Sequence, residues 1–236
     1  MDELVEALAR RGLRMDDRAA ARFRRYRSLL LEWNAKMNLT AITDPREIAI
    51  KHFYDSLTVA LSPHFTPPER MIDIGSGAGF PSLPIKIVYP EIEVVLVDAL
   101  KKRLRFLQAV VEALGLTGVT LVHARAEMLG HAALHRERYP LVVARAVAAL
   151  PVLVELTVPF CRLGGRVAAL KGDKGRSELA AAEAAIERLG ARPSAVESLS
   201  LPGGYGARTI IWLDKVQSTP KRYPRRPGEP ARRPLA

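Results

Sequence analysis

The sequence predicts an α/β protein with a doubly wound, mostly parallel seven-stranded sheet of the Rossmann-like type, preceded by a helical extension. Short apolar segments alternate with segments of helical periodicity after residue 63, and such alternation gives parallel strands joined by crossover helices on both faces. A glycine-rich turn, Gly75-Ser76-Gly77-Ala78-Gly79, follows the first apolar segment. The last two apolar segments predict a hairpin, which contributes one antiparallel strand.

Seven apolar or β-branched segments predict the strands. They are Arg70–Ile74, Glu93–Val97, Val119–His123, Leu141–Ala144, Arg166–Leu170, Ala195–Leu201 and Thr209–Leu213. Between them, apolar residues that recur every three to four positions predict helices, with glycine or proline near the ends. These helices span Pro81–Val88, Lys101–Leu114, Pro151–Phe160 and residues 176–189.

Further helices are predicted before the sheet, over residues 3–9, from an N-cap at Asp16 to Met37, and from Asp44 onward. Asp44 is followed by proline, a common arrangement at the start of a helix. A proline-rich stretch then precedes the first strand. We therefore expect three segments: a helical extension over residues 1–62, the Rossmann-like domain over residues 63–215 and a basic, proline-rich C-terminal tail over residues 216–236.

Composition and charge favour a polyanionic partner. Apolar residues make up 48% of the 236 residues, and the net charge is +11, which suits nucleic acid or an anionic membrane surface. No apolar run approaches the roughly 20 residues of a membrane span, and the acidic start does not resemble a signal peptide. Cys161 is the only cysteine, so no internal disulfide or multi-cysteine metal site is expected. We expect a cytoplasmic protein without a membrane partner, and a monomer, since no long apolar seam is left over.

Two basic regions are candidates for phosphate contacts. One is a face of the long N-terminal helix that carries Arg18, Arg22, Arg24, Arg25 and Arg27. The other is the tail, with Arg225 and Arg226 between prolines, a composition that predicts an extended segment. The helix face is either a phosphate-binding surface or a solvated one. The tail either contacts a phosphate backbone or is a disordered solubilising segment, and the sequence leaves these alternatives open.

The glycine turn and the acid after the second strand predict a nucleoside-containing cofactor. Asp98 lies at the end of that strand, where a carboxylate can accept hydrogen bonds from the ribose hydroxyls; it could alternatively cap the following helix. A dinucleotide fingerprint requires a third glycine where Phe80 stands. Together with Asp73 before the turn, this favours S-adenosylmethionine over NAD.

The residues from Asp73 to Pro81 resemble motif I of the class I methyltransferases. The wider pattern resembles the glucose-inhibited division protein B family, the small-subunit ribosomal RNA guanine-N7 methyltransferases. The pieces that carry this resemblance are Asn38-Leu39-Thr40, His52-Phe53-Tyr54-Asp55-Ser56, the glycine turn, Asp98 with Lys102-Arg103 and Phe106-Leu107, Arg145-Ala146, Lys171-Gly172, and Tyr223-Pro224-Arg225-Arg226 with Gly228, Pro230 and Pro234-Leu235.

The resemblance implies a class I S-adenosylmethionine-dependent methyltransferase that acts on 16S ribosomal RNA or the small ribosomal subunit. The expected cofactor-binding residues are Gly75, Gly77, Phe80, Asp98, Ala126, Glu127 and Arg145. The expected substrate-binding residues are Asn38, His52, Asp55, Arg145, Lys171, Arg225 and Arg226. Ser82, Ala99 and Ala144 depart from the family pattern, each by the exchange of one small residue for another.

The residues also limit the reaction. Methylation at C5 of cytosine requires a nucleophilic cysteine, and Cys161 lies far from any predicted strand end. The Asn/Asp-Pro-Pro-aromatic motif used on exocyclic amines is replaced by Ala144-Arg145-Ala146. A ring nitrogen remains, and the resemblance makes it guanine N7, whose lone pair needs no general base; no catalytic acid, base or metal is assigned. The alternatives are a non-catalytic cofactor-binding ribosome assembly factor, a methyltransferase for another substrate, and an NAD-dependent oxidoreductase.

Overall fold

A computed structural model describes residues 1–235 and contains one seven-stranded sheet. The strands are β1 (Arg70–Ile74), β2 (Glu93–Asp98), β3 (Val119–His123), β4 (Tyr139–Arg145), β5 (Cys161–Lys171), β6 (Ala191–Ser200) and β7 (Ala207–Lys215). Their order is β3-β2-β1-β4-β5-β7-β6. Strand β7 is antiparallel to both of its neighbours, and the other pairs are parallel. The predicted doubly wound sheet with one antiparallel strand is confirmed.

Helices cover both faces of the sheet. They are α1 (Asp2–Ala9), α2 (Asp17–Met37), α3 (Pro45–Glu47), α4 (Asp55–Leu57), α5 (Ser82–Val88), α6 (Lys101–Leu114), α7 (Ala126–Leu129), α8 (Leu150–Thr157), α9 (Gly175–Arg188) and α10 (Glu229–Arg232). Single 3-10 turns occur at Val158–Phe160 and Pro202–Gly204. Between α3 and α4 the chain forms a π-helix, Ile48–Tyr54.

The predicted caps of the N-terminal helices are confirmed. The Asp16 carboxylate accepts a hydrogen bond from the backbone N–H of Ala19 at 2.7 Å, and Asp44 accepts from the N–H groups of Arg46 and Glu47. Each cap satisfies donors that the first helical turn leaves free. The π-helix that follows was not predicted, because its apolar spacing is hard to distinguish from that of an α-helix.

Most strand and helix bounds agree with the sequence patterns, and the differences have local causes. Strand β5 begins at Cys161 rather than Arg166, because Cys161 already pairs with Tyr139 across an irregular register. Strand β6 begins at Ala191, and its register shifts next to Pro193, since proline cannot donate to the ladder. Helix α8 ends at Thr157 and continues as a 3-10 turn.

The helical extension shares a hydrophobic core with one face of the sheet. The rings of Phe23, Tyr26, Phe53 and Phe80 pack together, with Tyr26 and Phe80 stacked at a centroid distance of 5.5 Å. All four belong to the same buried cluster as Leu96 in the sheet. The Tyr26 hydroxyl donates a hydrogen bond to the carbonyl of Ala78 in the glycine turn. The extension therefore supports the turn directly.

The C-terminal tail differs from the expected extended segment. Tyr223 and Leu235 are buried in the second hydrophobic cluster, on the opposite face of the sheet from the extension, and the tail contains the short helix α10. The composition suggested that the segment lacks the apolar residues for a core of its own. It instead uses a few apolar residues and an ion pair to pack against α8.

None of the helices within residues 1–235 combines the length and the apolar character required to cross a membrane.

The contact between Tyr26 and the glycine turn leads to a stability prediction. Tyr26→Phe removes the donor to the buried carbonyl of Ala78, so we expect the free energy of unfolding to fall by about 1–2 kcal/mol. Tyr54→Phe is the matched control, since Tyr54 is also buried but its hydroxyl makes no hydrogen bond within the described chain. Denaturant unfolding measures both variants. Equal stability of the two would contradict a supporting role for this hydrogen bond.

Candidate cofactor and substrate cavities

The glycine turn after β1 has a backbone that only glycine adopts easily. Gly75, Gly77 and Gly79 all have positive φ angles, a region disfavoured for other residues. A Cβ atom on Gly75 would lie 2.8 Å from the Cγ2 atom of Val147. The N–H groups of Gly75 and Ser76 both donate to the carbonyl of Val97 at the end of β2. The turn is thus fastened to β2, and Gly75 packs closely against Val147.

Asp98 ends β2 and is both a structural acceptor and a cavity residue. Its Oδ1 accepts from the Leu100 N–H at 2.8 Å, before α6. Its Oδ2 accepts from the Gly77 N–H at 2.9 Å and from the Arg103 guanidinium at 3.2 Å. The carboxylate is buried, with 3% of the residue exposed. The helix-capping alternative is wrong, because α6 begins after Leu100 without a side-chain cap and Asp98 bonds only the N–H before its first turn. Three hydrogen bonds leave acceptor capacity on Oδ1 for a ligand.

A cavity of about 250 Å³, here called the cofactor cavity, opens at the carboxyl end of β1 and β2. Four expected cofactor residues line it: Gly75, Asp98, Ala126 and Glu127. Its remaining wall is formed by Ile74, Val97, Ala99, Ala124, Arg125, Val147, Ala148, Val152, Leu156, Gly228, Pro230 and Ala231. Gly77, Phe80 and Arg145 lie outside this lining. Gly77 contacts Asp98, whereas Phe80 and Arg145 pack against each other, as described next.

Phe80 lies in a stack between the helical extension and β4. The ring of His52 is parallel to it at a centroid distance of 4.6 Å, and the guanidinium carbon of Arg145 lies 4.8 Å from its centroid. Only 5% of Phe80 is exposed. At the end of the glycine turn, Phe80 therefore provides an aromatic face on which the Arg145 cation packs.

Arg145 is held by three groups of the π-helical region. Its Nη1 atom donates to Asp55 at 3.0 Å and to the Lys51 carbonyl at 3.1 Å, and its Nη2 atom lies 3.2 Å from Nδ1 of His52. Burial lowers the pKa of Arg145, and the Asp55 carboxylate opposes that shift. Asp55 also pairs with Arg208, whose Nε atom lies 3.2 Å from Oδ1. Two arginines therefore share one buried carboxylate.

His52 is a neutral histidine in this network. Burial, and next the charge of Arg145, lower its pKa to about 3. Since an arginine can only donate, Nδ1 of His52 accepts, and the proton is assigned to Nε2, which lies 2.9 Å from the Thr40 hydroxyl. Both ring nitrogens are occupied by neighbours, so the geometry favours a structural role for this imidazole over proton transfer.

A second cavity of about 360 Å³, here called the basic cavity, lies beside β4, β5 and β7. It is lined by Ile42, Lys51, His52, Asp55, Arg145, Ala146, Leu170, Lys171, Gly172, Glu178 and Arg208. The expected substrate residues His52, Asp55, Arg145 and Lys171 all lie here. The structure does not bring the other three to this cavity.

Those three residues have other surroundings. Asn38 is exposed and ends α2 in the left-handed conformation. Arg225 forms an ion pair with the buried Glu155. Arg226 is exposed on the tail.

Residues 145–148 separate the two cavities. Arg145 and Ala146 line the basic cavity, whereas Val147 and Ala148 line the cofactor cavity. The Lys171 ammonium donates to the Ala148 carbonyl at 2.7 Å and pairs with Glu178 at 2.7 Å. The end of β4 is therefore a narrow partition with a cation on one side and the glycine turn on the other.

Sequence reasoning missed residues that come from distant parts of the chain. Arg208 lines the basic cavity, and the tail contributes Gly228, Pro230 and Ala231 to the cofactor cavity. The antiparallel direction of the hairpin strand is a signal that could have located Arg208, since that strand begins at the edge where the parallel strands end.

Asp73 is a buried carboxylate near the end of β1. It is fully buried, and burial raises its pKa to about 7, opposed by hydrogen bonding from Ser82. Its Oδ2 accepts weakly from the Ser82 N–H at 3.4 Å, and its Oδ1 makes no hydrogen bond within the described chain. Asp73 lines neither cavity, so it belongs to the packing beneath the glycine turn.

The residues present fit S-adenosylmethionine. Gly75 has no side chain to fill the cavity, Asp98 presents a carboxylate, and the valines 97, 147 and 152 give an apolar wall. The site and the fold define a class I S-adenosylmethionine-dependent methyltransferase. Solved structures agree on the fold. A variant of the 16S rRNA (adenine(1408)-N(1))-methyltransferase from Catenulisporales acidiphilia superposes with a TM-score of 0.54 at 14% identity, covering 71% of this chain and 93% of that one.

The family follows from sequence comparison. The family model described as GidB, rRNA small subunit methyltransferase G, matches residues 19–209, and the chain belongs to this family. It is 50% identical over 235 residues to the ribosomal RNA small subunit methyltransferase G of Roseiflexus castenholzii, with full coverage of both chains. It is 47% identical over 234 residues to that of Halalkalibacterium halodurans, covering 99% of this chain and 98% of the relative. The resemblance seen in the sequence is confirmed.

The glycine turn leads to a binding prediction. Gly75→Asp places a side chain where a Cβ atom alone meets Val147, and adds a charge to the cofactor cavity, so we expect loss of measurable S-adenosylmethionine binding by calorimetry. Gly204→Asp is the control, because Gly204 also has a positive φ but nothing lies near its Cβ position. Wild-type affinity in the Gly75 variant would contradict a cofactor site beside this turn.

The neutral state of His52 leads to a pH prediction. Its pKa of about 3 lies below the ordinary value of 6.5, so the unfolded chain binds more protons between these values and stability falls as the pH falls. We expect the difference in unfolding free energy between wild type and His52→Gln to shrink by about 2 kcal/mol from pH 7 to pH 5. His123→Gln, at an exposed site, is the control. The same pH dependence in both variants would argue against a buried neutral imidazole.

Proposed function

We propose that this enzyme transfers a methyl group from S-adenosylmethionine to N7 of a guanine in 16S ribosomal RNA. The observation that supports this most strongly is the pair of cavities on either side of residues 145–148. One has the glycine turn and a ribose-binding carboxylate, and the other has four cationic side chains, Lys51, Arg145, Lys171 and Arg208. A donor and an acceptor bound there would meet across the end of β4.

The cofactor cavity would hold the donor through named groups of this chain. Asp98 would accept hydrogen bonds from the ribose, and Ala126 and Glu127 would flank the adenine. Gly75 leaves room for the methionyl part beside the backbone. When bound, the cofactor supplies a methyl group activated by a sulfonium charge. The role of the chain is then to hold the two reactants in line and to exclude water, which can lower a barrier by roughly 7–11 kcal/mol.

The basic cavity suits a guanine and requires no proton transfer. Arginine and lysine side chains are common donors to guanine O6, and Arg145, Lys171 and Arg208 have N–H groups in this cavity. Guanine N7 has a free lone pair, so no general base is needed. The chemistry of the surroundings agrees, because His52 is neutral with both nitrogens occupied and Asp55 is neutralised by two arginines.

The charge of the molecule supports an RNA partner. The net charge is +11, and Arg18, Arg24 and Arg25 are exposed on α2 without an ion-pair partner among residues 1–235. Such side chains can replace counterions along a phosphate backbone. The relatives are named as ribosomal RNA small subunit methyltransferases. We extend this substrate to the present chain, as 16S ribosomal RNA or the small ribosomal subunit, and propose that a monomer acts on it in the cytoplasm.

The modified base provides the direct test of this function. We expect labelled methyl groups from S-adenosylmethionine to appear as N7-methylguanosine in 16S ribosomal RNA when the purified protein acts on RNA from cells that lack it. RNA from cells that contain it should accept much less label. Cofactor binding without any transfer would favour the assembly-factor alternative, and label in a different nucleoside would overturn the N7 assignment.

The shared carboxylate in the basic cavity leads to a kinetic prediction. Arg208→Gln removes one of the two cations around Asp55, so we expect about a tenfold slower methyl transfer with unchanged S-adenosylmethionine affinity. Arg192→Gln is the control, because Arg192 pairs with an acid at the far end of the same hairpin, outside both cavities. If both variants transfer methyl groups at the wild-type rate, Arg208 has no part in the substrate site.

A further inference from the structure

The last part of the tail, residues 223–235, forms a strap across the outer side of α8. Its backbone is tied down at several points. The Arg136 guanidinium donates to the Tyr223 carbonyl at 2.7 Å, and the His131 ring lies 2.6 Å from the Pro224 carbonyl. A Cβ atom on Gly130 would collide with Pro224 at 2.7 Å. These close contacts show that the strap is docked on the rest of the protein in a defined position.

One ion pair anchors the middle of the strap. Glu155 on α8 is fully buried, and its carboxylate accepts from the Arg225 side chain at Nε and Nη2 and from the Arg225 backbone N–H at 2.7 Å. A buried carboxylate is costly unless it is paired and hydrogen-bonded. Arg225 also donates to the Arg233 carbonyl at 2.7 Å, which closes the strap on itself.

The inner side of the strap forms part of the cofactor cavity. Gly228, Pro230 and Ala231 line it together with Val152 and Leu156 of α8. The Gly228 N–H donates to Oε1 of Glu127 at 3.0 Å, and Glu127 is one of the residues proposed to flank the adenine. The strap therefore contacts both the space for the nucleoside and a side chain expected to recognise it.

Neither the charge of the tail nor the family resemblance accounts for this position. A segment that only contacted RNA phosphates would not require its backbone N–H to be bonded to Glu127, or its central arginine to be paired with a buried acid. The exposed arginines on the outer surface of the strap remain free to contact RNA phosphates. Residues on its inner surface line the cofactor cavity.

We infer that Gly228, Pro230 and Ala231 are cofactor-binding residues, and that the strap is the outer wall of the S-adenosylmethionine site. This inference rests on the proposed function, which assigns the cofactor to this cavity. Because the ligand and the docked strap contact each other, each stabilises the other, and such coupling is reciprocal. The strap lowers the exposure of the bound nucleoside to water, and the cofactor in turn keeps the strap docked.

The test compares two changes to glutamine at adjacent positions of α10. Ala231 is exposed at the cavity wall, so Ala231→Gln intrudes into the cavity without altering the core. Arg232→Gln introduces the same side chain outside the cavity lining. By calorimetry, we expect Ala231→Gln to weaken S-adenosylmethionine binding at least tenfold and Arg232→Gln to change it less than twofold. Equal affinities of Ala231→Gln and wild type would overturn the inference.

A second measurement does not depend on a substitution in the strap. Trypsin can cut after Arg222 and Arg232, since neither is followed by proline, and the fragments are identified by mass spectrometry. We expect saturating S-adenosylmethionine to slow both cleavages about tenfold in the wild-type protein and not in Gly75→Asp. Unchanged cleavage in a wild type that binds the cofactor would overturn the inference alone. A wild type that does not bind S-adenosylmethionine would overturn the proposed function as well.

Discussion

The buried Arg145 guanidinium is the contact on which the arrangement of the site depends. It lies at the end of β4, against the ring of Phe80, and is bonded to Asp55 and close to His52. These partners come from the helical extension and from the glycine turn, so one side chain joins three parts of the chain. A buried cation is stable only when it is paired, and removal of one partner of such a pair typically costs about 3–5 kcal/mol. The extension is therefore part of the site and not only a covering for the sheet.

This contact also explains why two cavities of different character lie side by side. The glycine turn shapes a largely apolar space that contains the buried carboxylates of Asp98 and Glu127. Lys51, Lys171 and Arg208 surround the other space with positive charge. The partition between them is only the few residues after β4. An uncharged nucleobase atom with a lone pair can be methylated there by positioning alone, which is why neutral His52 and neutralised Asp55 are compatible with catalysis.

The carboxyl edge of the sheet was predictable, because parallel strands end on the same side. Asp98, Arg145 and Lys171 follow three such strands, and the structure brings all three to adjacent cavities. Arg208 was missed because its strand runs in the opposite direction and begins at that edge. The strap was missed because its docking depends on Glu155, whose partner is 70 residues away. A single acid within the apolar segment Leu150–Thr157 was a signal that such a partner exists.

We expect the cofactor to occupy the cavity beside Asp98, with its methyl group directed across residues 145–148 into the basic cavity. A crystal structure with S-adenosylhomocysteine, the demethylated product, would show the position of the cofactor and the direction of its sulfur. We predict that its ribose contacts Asp98, that its adenine lies between Glu127 and the strap, and that its sulfur faces the partition. Electron density for the nucleoside in the basic cavity, or a sulfur directed away from residues 145–148, would contradict the account.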